Sequence, residues 1–220
     1  MFSYYGSKSK IVKYYPEPKY DTIIEPFAGS ARYSLLYCEH SVILNDIYQT
    51  IYQIWDYLIN KATKEDIQSI PEITRDISTK NLNISDDIRT LMGFMVGEGR
   101  YTPGYKYSPW SFRDKEITRC KNRILKDLDC IKHWQVFCKD YTDLENIEAT
   151  WFIDPPYQHG GKYYAKNKIN YNELADWCLS RRGQVIVCEN MKADWLPFEP
   201  LKELWGQRYT TTEAIFIKEN

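Results

Sequence analysis

Apolar positions along the chain switch between two periods, and the switches mark out its elements. Thr22 to Glu25 is a short β-branched run that stops at Pro26 and a small-residue turn, with a helical period from about Ala31. The stretch "SVILN" is a second apolar strand closing on Asn45 and Asp46. Beyond it Ile47, Ile51, Ile54, Trp55 and Leu58 recur on one helical face, with Asp46 near the N-terminus of that helix. Strand, turn, helix, strand, acid and helix in this order predict a parallel sheet.

The strand signal then stops. Between residues 61 and 133 the segments "TKEDIQSI", "SDDIRTLMGFMVGEG" and "FRDKEITRCKNRILKDLDCIKHW" read as helices, with Thr63 and Ser85 as N-caps. Strand patterns return in "WQVFCKDY", "TWFID" and "GQVIVCE". A crossover helix lies over "NYNELADWCLSRRG", opened by the Asn170 and Glu173 spacing and closed by Gly183. The last two apolar runs, in "LKELWGQRY" and "TEAIFIKEN", are too close for a crossover and should pair as an antiparallel hairpin. The predicted architecture is α/β: a sheet domain over 1–60 and 134–220, interrupted by a helical lobe over 61–133.

Composition narrows the function classes. With 43% hydrophobic residues, 220 residues can bury one sizeable core. No stretch has the length of a signal-peptide core or approaches the roughly 18 apolar residues of a membrane span, which predicts a cytoplasmic protein with no membrane partner. Six cysteines form no C-x-x-C pair and have only three histidines to help them, so they read as reduced packing thiols with no metal site. The net charge of -1 predicts no general attraction to polyanions, although such a mean can conceal a local patch.

Two stretches carry chemistry. In "EPFAGS", Gly29 follows the first strand, where a ligand can approach the backbone closely, and Asp46 ends the second strand, where ribose-binding acids stand. The fingerprint G-x-G-x-x-G is absent, because Ser30, Ala31 and Arg32 follow Gly29, so a pyrophosphate cradle is not expected. A nucleoside ligand without phosphates, such as S-adenosylmethionine, fits better. In "WFIDPPYQHG" a buried strand runs into Asp154, Pro155, Pro156 and Tyr157. The prolines push the backbone of Asp154 and Pro155 to extended geometry and remove two N–H donors, leaving a stiff bracket of acceptors. A carboxylate and a carbonyl that accept both hydrogens of an exocyclic amino group turn its lone pair toward an electrophile. Tyr157 can stack on the base. His159, close by, is read as a loop residue, since an adenine amino group needs no prior deprotonation.

The chain resembles the Dam-like DNA adenine-N6 methyltransferases through "YYGSK" (4–8), "EPFAGS", "LND" (44–46), "KDY" (139–141) and "DPPY" (154–157), in that family's order. The resemblance implies a Rossmann-like seven-stranded methyltransferase sheet and S-adenosylmethionine as cofactor. It implies that Tyr4, Gly6 and Lys8 cover the methionine end of the cofactor, that Phe27 and Gly29 line it, and that Asp46 binds its ribose. Ile47, Asp140 and Tyr141 would flank its adenine, and Asp154, Pro155, Pro156 and Tyr157 would hold the target base. Where the family has a second glycine this chain has Ala31, followed by Arg32.

Between Gly99 and Lys126 eight basic residues stand against two acids, interleaved with Tyr101, Tyr105, Tyr107, Trp110 and Phe112. Such a mixture suits a strand that must be bent open, and a base inside a duplex must be extruded to reach Asp154. Arg100, Tyr105, Lys106, Trp110, Arg113, Arg119 and Arg123 are the expected contacts to double-stranded DNA, and the chain is expected to act as a monomer or weak dimer. The bracket chemistry serves cytosine N4 or an RNA base equally well; only the resemblance favours adenine in DNA. A nucleic-acid-binding module with a decayed cofactor site is a further reading, with Ala31 as its symptom.

Overall fold

The structure, a computed structural model, describes residues 1–97, 99–107, 112, 115–160, 164, 168–205 and 210–219. Seven strands form one sheet: β1 (Thr22–Glu25), β2 (Ser41–Asn45), β3 (Gln135–Phe137), β4 (Ala149–Ile153), β5 (Gly183–Asn190), β6 (Glu199–Trp205) and β7 (Thr210–Lys218). Their order is β3-β2-β1-β4-β5-β7-β6. The first five are parallel, while β7 enters antiparallel between β5 and β6. This is the Rossmann-like methyltransferase sheet with its antiparallel C-terminal pair, as the sequence predicts.

Side chains of alternate strand positions feed two apolar layers. Ile23, Phe152, Ile186 and Cys188 face one side, where they share a core with α2 (Gln49–Asp56), α4 (Asp86–Met95) and α5 (Glu116–Asp127) through Trp55, Phe94 and Ile124. Ile24, Trp151, Ile153, Val185 and Val187 face the other, against Leu174 and Cys178 of α6 (Tyr171–Ser180). The helices of 61–133 thus pack onto one face of the sheet and extend its core.

Most predicted ends hold. Thr63 caps α3 (Lys64–Ser69) in a reciprocal capping box with Asp66, and Ser85 accepts from Ile88 N at the start of α4. Asn170 caps α6 through the N–H groups of Asn172 and Glu173. Three readings are corrected. Gly183 does not close α6, which ends at Ser180 because Arg181 is already extended; it opens β5 with φ 97°, where a Cβ would meet the Ala149 carbonyl oxygen at 2.3 Å. Ile47 precedes α2 and is 42% exposed, so it does not belong to that helix's packed face. Finally, Cys38 and Cys130 form a disulfide, because the fold sets the turn after α1 (Arg32–Leu36) beside the turn after α5, with 5.9 Å between the Cα atoms. Spacing along the chain could not show that proximity.

Candidate active site

A crevice opens beyond the carboxyl ends of β1, β2, β3 and β4, where the strand order reverses direction and an open parallel sheet takes its ligands. It encloses about 880 Å³ including its open mouth. The turn after β1 contributes Phe27, Gly29 and Ala31, the end of β2 contributes Asp46 and Ile47, and the end of β3 contributes Asp140 and Tyr141. Asp154 and Pro156 enter from β4, and Tyr4, Gly6 and Lys8 form the N-terminal wall. All nine residues expected at a cofactor therefore share one cavity.

The glycine turn is locked from three directions. Gly29, at φ 46°, donates its N–H to Asp46 Oδ2 at 3.0 Å, and its carbonyl accepts from Trp55 Nε1 at 2.9 Å. A Cβ here would lie 3.1 Å from the Tyr4 ring, so the bare backbone is what lets the N-terminal wall close over the turn. Gly6 is tighter still, since a Cβ would strike the Tyr164 hydroxyl at 2.0 Å. Ala31 sits in the left-handed region at φ 43°, ψ 48°, a conformation that a glycine holds without strain.

Two acids frame the crevice. Asp46 accepts from Gly29 N and, at 2.9 Å, from Tyr48 N; burial lifts its pKa to about 6, against the lowering effect of these two bonds. Each carboxylate oxygen keeps further lone pairs for a hydroxyl donor. Phe27 and Tyr141, with ring centres 5.4 Å apart, stand with Ile47 as apolar walls suited to a planar ring.

Asp154 is not a free bracket. Its Oδ1 lies 3.0 Å from Lys8 Nζ, which also reaches Glu213 Oε1 at 3.2 Å and donates to the Tyr157 hydroxyl. Glu213 Oε1 in turn accepts from Tyr15 at 2.6 Å and from Tyr157. Burial raises the Asp154 pKa to about 6, with the Lys8 ammonium opposing the shift. Burial alone would lower Lys8, but the Asp154 and Glu213 carboxylates more than offset it and hold the ammonium above its ordinary range. Burial likewise drives the Tyr157 phenol up, so it stays protonated. The Pro156 carbonyl accepts from the Tyr171 hydroxyl at 2.8 Å, and Pro155 is buried outside the cavity lining. Tyr157, anchored by its hydroxyl, lies behind the lining. Just past it, Glu189 accepts the Gln158 N–H at 2.6 Å and holds the exit of the loop.

Sequence reasoning missed Glu213 and Arg32. Glu213 was signalled by an acid at the head of the apolar run "EAIFI", on a strand whose neighbours are sheet core. Arg32 donates to the Phe2 carbonyl at 2.8 Å and Ser7 Oγ at 3.1 Å, tying the N-terminal wall to α1. The His159 carbonyl accepts from Asn190 Nδ2 at 3.0 Å.

The basic stretch is less uniform than its composition. Arg100 packs on Gly97 and Gly104 and donates to the Lys106 carbonyl, so it braces its own loop. Tyr105 is 47% exposed and lies under Lys80, whereas Tyr107 is buried against Phe112. Arg119 and Arg123 are half-exposed on α5 and both pair with Glu116 at 3.2 Å. Lys121 binds the carbonyls of Gln68 and Ile70 at the end of α3. Trp110 and Arg113 lie outside the described residues.

Residues 4–86 match the family model of D12 class N6 adenine-specific DNA methyltransferases. No curated protein matches the chain. The matched stretch holds the N-terminal wall, the glycine turn and Asp46; KDY and DPPY lie beyond it, at the ends of the next two parallel strands of the same crevice. Over that stretch the chain is similar to the D12 class N6 adenine-specific DNA methyltransferases, and the KDY and DPPY motifs carry the resemblance on to the next strands of the same sheet.

Proposed function

We propose that the chain transfers a methyl group from S-adenosylmethionine to the N6 atom of an adenine extruded from duplex DNA. The observation that carries this reading is the convergence of Gly29, Asp46, Tyr141 and Asp154 on one crevice, each at the carboxyl end of a different parallel strand. The residues fit the cofactor: a bare-backbone turn, an acid with lone pairs for ribose hydroxyls, and apolar walls for adenine. Tyr4, Gly6 and Lys8 would close over its methionine end. When bound, it supplies an electrophilic methyl group on sulfur.

The remaining chemistry belongs to the protein. Asp154, held rigid by the two prolines, accepts an amino hydrogen of the base and aligns the nitrogen lone pair. Lys8 must share or yield Asp154 Oδ1 when the base enters. Two carboxylates around one ammonium leave the cluster of Lys8, Asp154 and Glu213 with a net negative charge, which favours the positive charge that builds on the methylated nitrogen. The helices of 61–133 would supply the DNA surface, with Arg119, Arg123, Tyr105 and Lys106 as contacts and the extruded base costing a few kcal/mol. Arg100 would act by shaping its loop. The protein would work in the cytoplasm, as a monomer or weak dimer.

The test is Asp154→Ala, assayed for cofactor binding by isothermal titration and for methyl transfer to duplex DNA. Retained binding with transfer lowered by at least about 10²-fold is expected. Unchanged turnover removes Asp154 from the mechanism, and lost binding in a folded variant moves it into the cofactor site.

A further inference from the structure

On the side of the molecule that carries the two turns after α1 and α5, a second chemical cluster has no part in the mechanism above. Cys38 Sγ, Cys130 Sγ and a carboxylate oxygen of Glu39 all lie within 4.8 Å of one another, and Cys130 Sγ approaches Glu39 Oε1 at 3.3 Å. Both sulfurs are partly accessible and Glu39 is exposed. We propose that in the reduced chain Cys38, Cys130 and Glu39 bind a thiophilic divalent cation of the zinc type, with water in the remaining position.

The two turns are set against each other before any ion arrives. Trp134 Nε1 donates to the Cys38 carbonyl at 3.1 Å, and its ring is buried beside Trp55. His133 Nε2 and the His40 carbonyl are hydrogen-bonded at 2.8 Å, a second link between the same turns. Backbone positions 5.9 Å apart at Cα suit two thiolates on one tetrahedral ion, whose sulfurs stand about 3.8 Å apart when each bond is about 2.3 Å. Rotation about the cysteine side chains reaches that separation without moving the turns.

The donor set selects the ion. Two thiolates and one carboxylate favour zinc-type cations over magnesium or calcium, which require oxygen shells. Binding deprotonates both thiols and releases two protons, so affinity rises with pH. The ion would occupy the same two sulfurs that the disulfide joins, so the two states exclude each other. Either state links α1, which starts at the cofactor-lining Ala31, to the end of the basic helix α5.

The full chain, reduced with a phosphine and freed of metal, is titrated with Co²⁺. The expected result is a thiolate-to-cobalt charge-transfer band that saturates at one ion per chain and is displaced by Zn²⁺. Cys38→Ser and Cys130→Ser should each abolish the band, Glu39→Gln should weaken binding, and Cys138→Ser should leave it unchanged. No band, or a band that survives the loss of both Cys38 and Cys130, overturns the site. If the serine variants do not fold, alkylation of the unmutated reduced chain decides. Zn²⁺ should slow labelling of Cys38 and Cys130 and leave Cys138 unaffected; equal labelling with and without Zn²⁺ overturns the proposal.

Discussion

Asp154 feels burial pushing its proton on and Lys8 pushing it off, and burial wins by enough to bring its pKa to about 6. The carboxylate is a stronger acceptor than the neutral acid and alone offsets the positive charge that builds on the nitrogen, so single-turnover methylation at saturating cofactor should fall as pH drops below about 6. Asp46 titrates in the same range, and cofactor affinity measured separately should weaken on the same side. A rate that is flat from pH 5 to 8 would show that neither carboxylate matters in its charged form. At Ala31 the left-handed backbone costs about 1–2 kcal/mol that glycine avoids, partly offset by the greater freedom of an unfolded glycine. Ala31→Gly should therefore raise thermal stability by up to about 1 kcal/mol and leave the crevice intact, as thermal melts and cofactor titration would register.

α1 has an unusual start. Its N-cap, Ala31, offers no side-chain acceptor, and the Glu25 carboxylate at the end of β1 instead accepts the Ser34 N–H at 2.8 Å. Glu25 is 2% exposed, and burial lifts its pKa from 4.5 to about 8 despite that bond. The folded state then binds more protons than the unfolded one between those values. Its contribution is whole below about pH 4.5 and is lost as pH rises toward 8. Glu25→Gln should flatten the fall in melting temperature across that window; an unchanged slope would mean the acid is not buried as described. On β5, Gly183→Ala would drive a methyl into the Ala149 carbonyl at a positive φ, and soluble expression should collapse.

The elements themselves were legible because strands and helices announce their periods: β1, β2, β4 and β5 match the apolar runs, and Thr63, Ser85 and Asn170 start the helices they were expected to start. Gly29, Asp46 and Asp154 were legible for another reason, since each stands at the end of an apolar strand or in the turn that follows it, whereas Tyr4, Gly6, Lys8, Phe27, Ile47, Asp140 and Tyr141 were expected only through the resemblance and are joined to them by the fold. What could not be read depended on contacts between distant segments. Glu213 reaches Lys8 across the whole chain, Cys130 meets Cys38 through the packing of α5, and Glu116 pairs with two half-exposed arginines and offsets part of the charge that composition counts.

At the scale of the whole molecule, a net charge of -1 means that the proposed duplex binding has to come from local charge. The half-exposed guanidinium groups of Arg119 and Arg123 are the test of that surface. Replacing both with alanine should weaken duplex binding and reduce the slope of log K against log salt by up to about 2, at roughly 0.9 per lost phosphate contact. An unchanged slope would place the DNA elsewhere. No described helix is long and apolar enough to cross a membrane. The account as a whole is decided by one measurement: incubation of the protein with methyl-labelled S-adenosylmethionine and either duplex DNA or RNA, followed by digestion and identification of the labelled nucleoside. Label in N6-methyl-2′-deoxyadenosine is the predicted result; label confined to an N4-methylated cytosine nucleoside or to RNA, or no transfer by a folded protein, would contradict it.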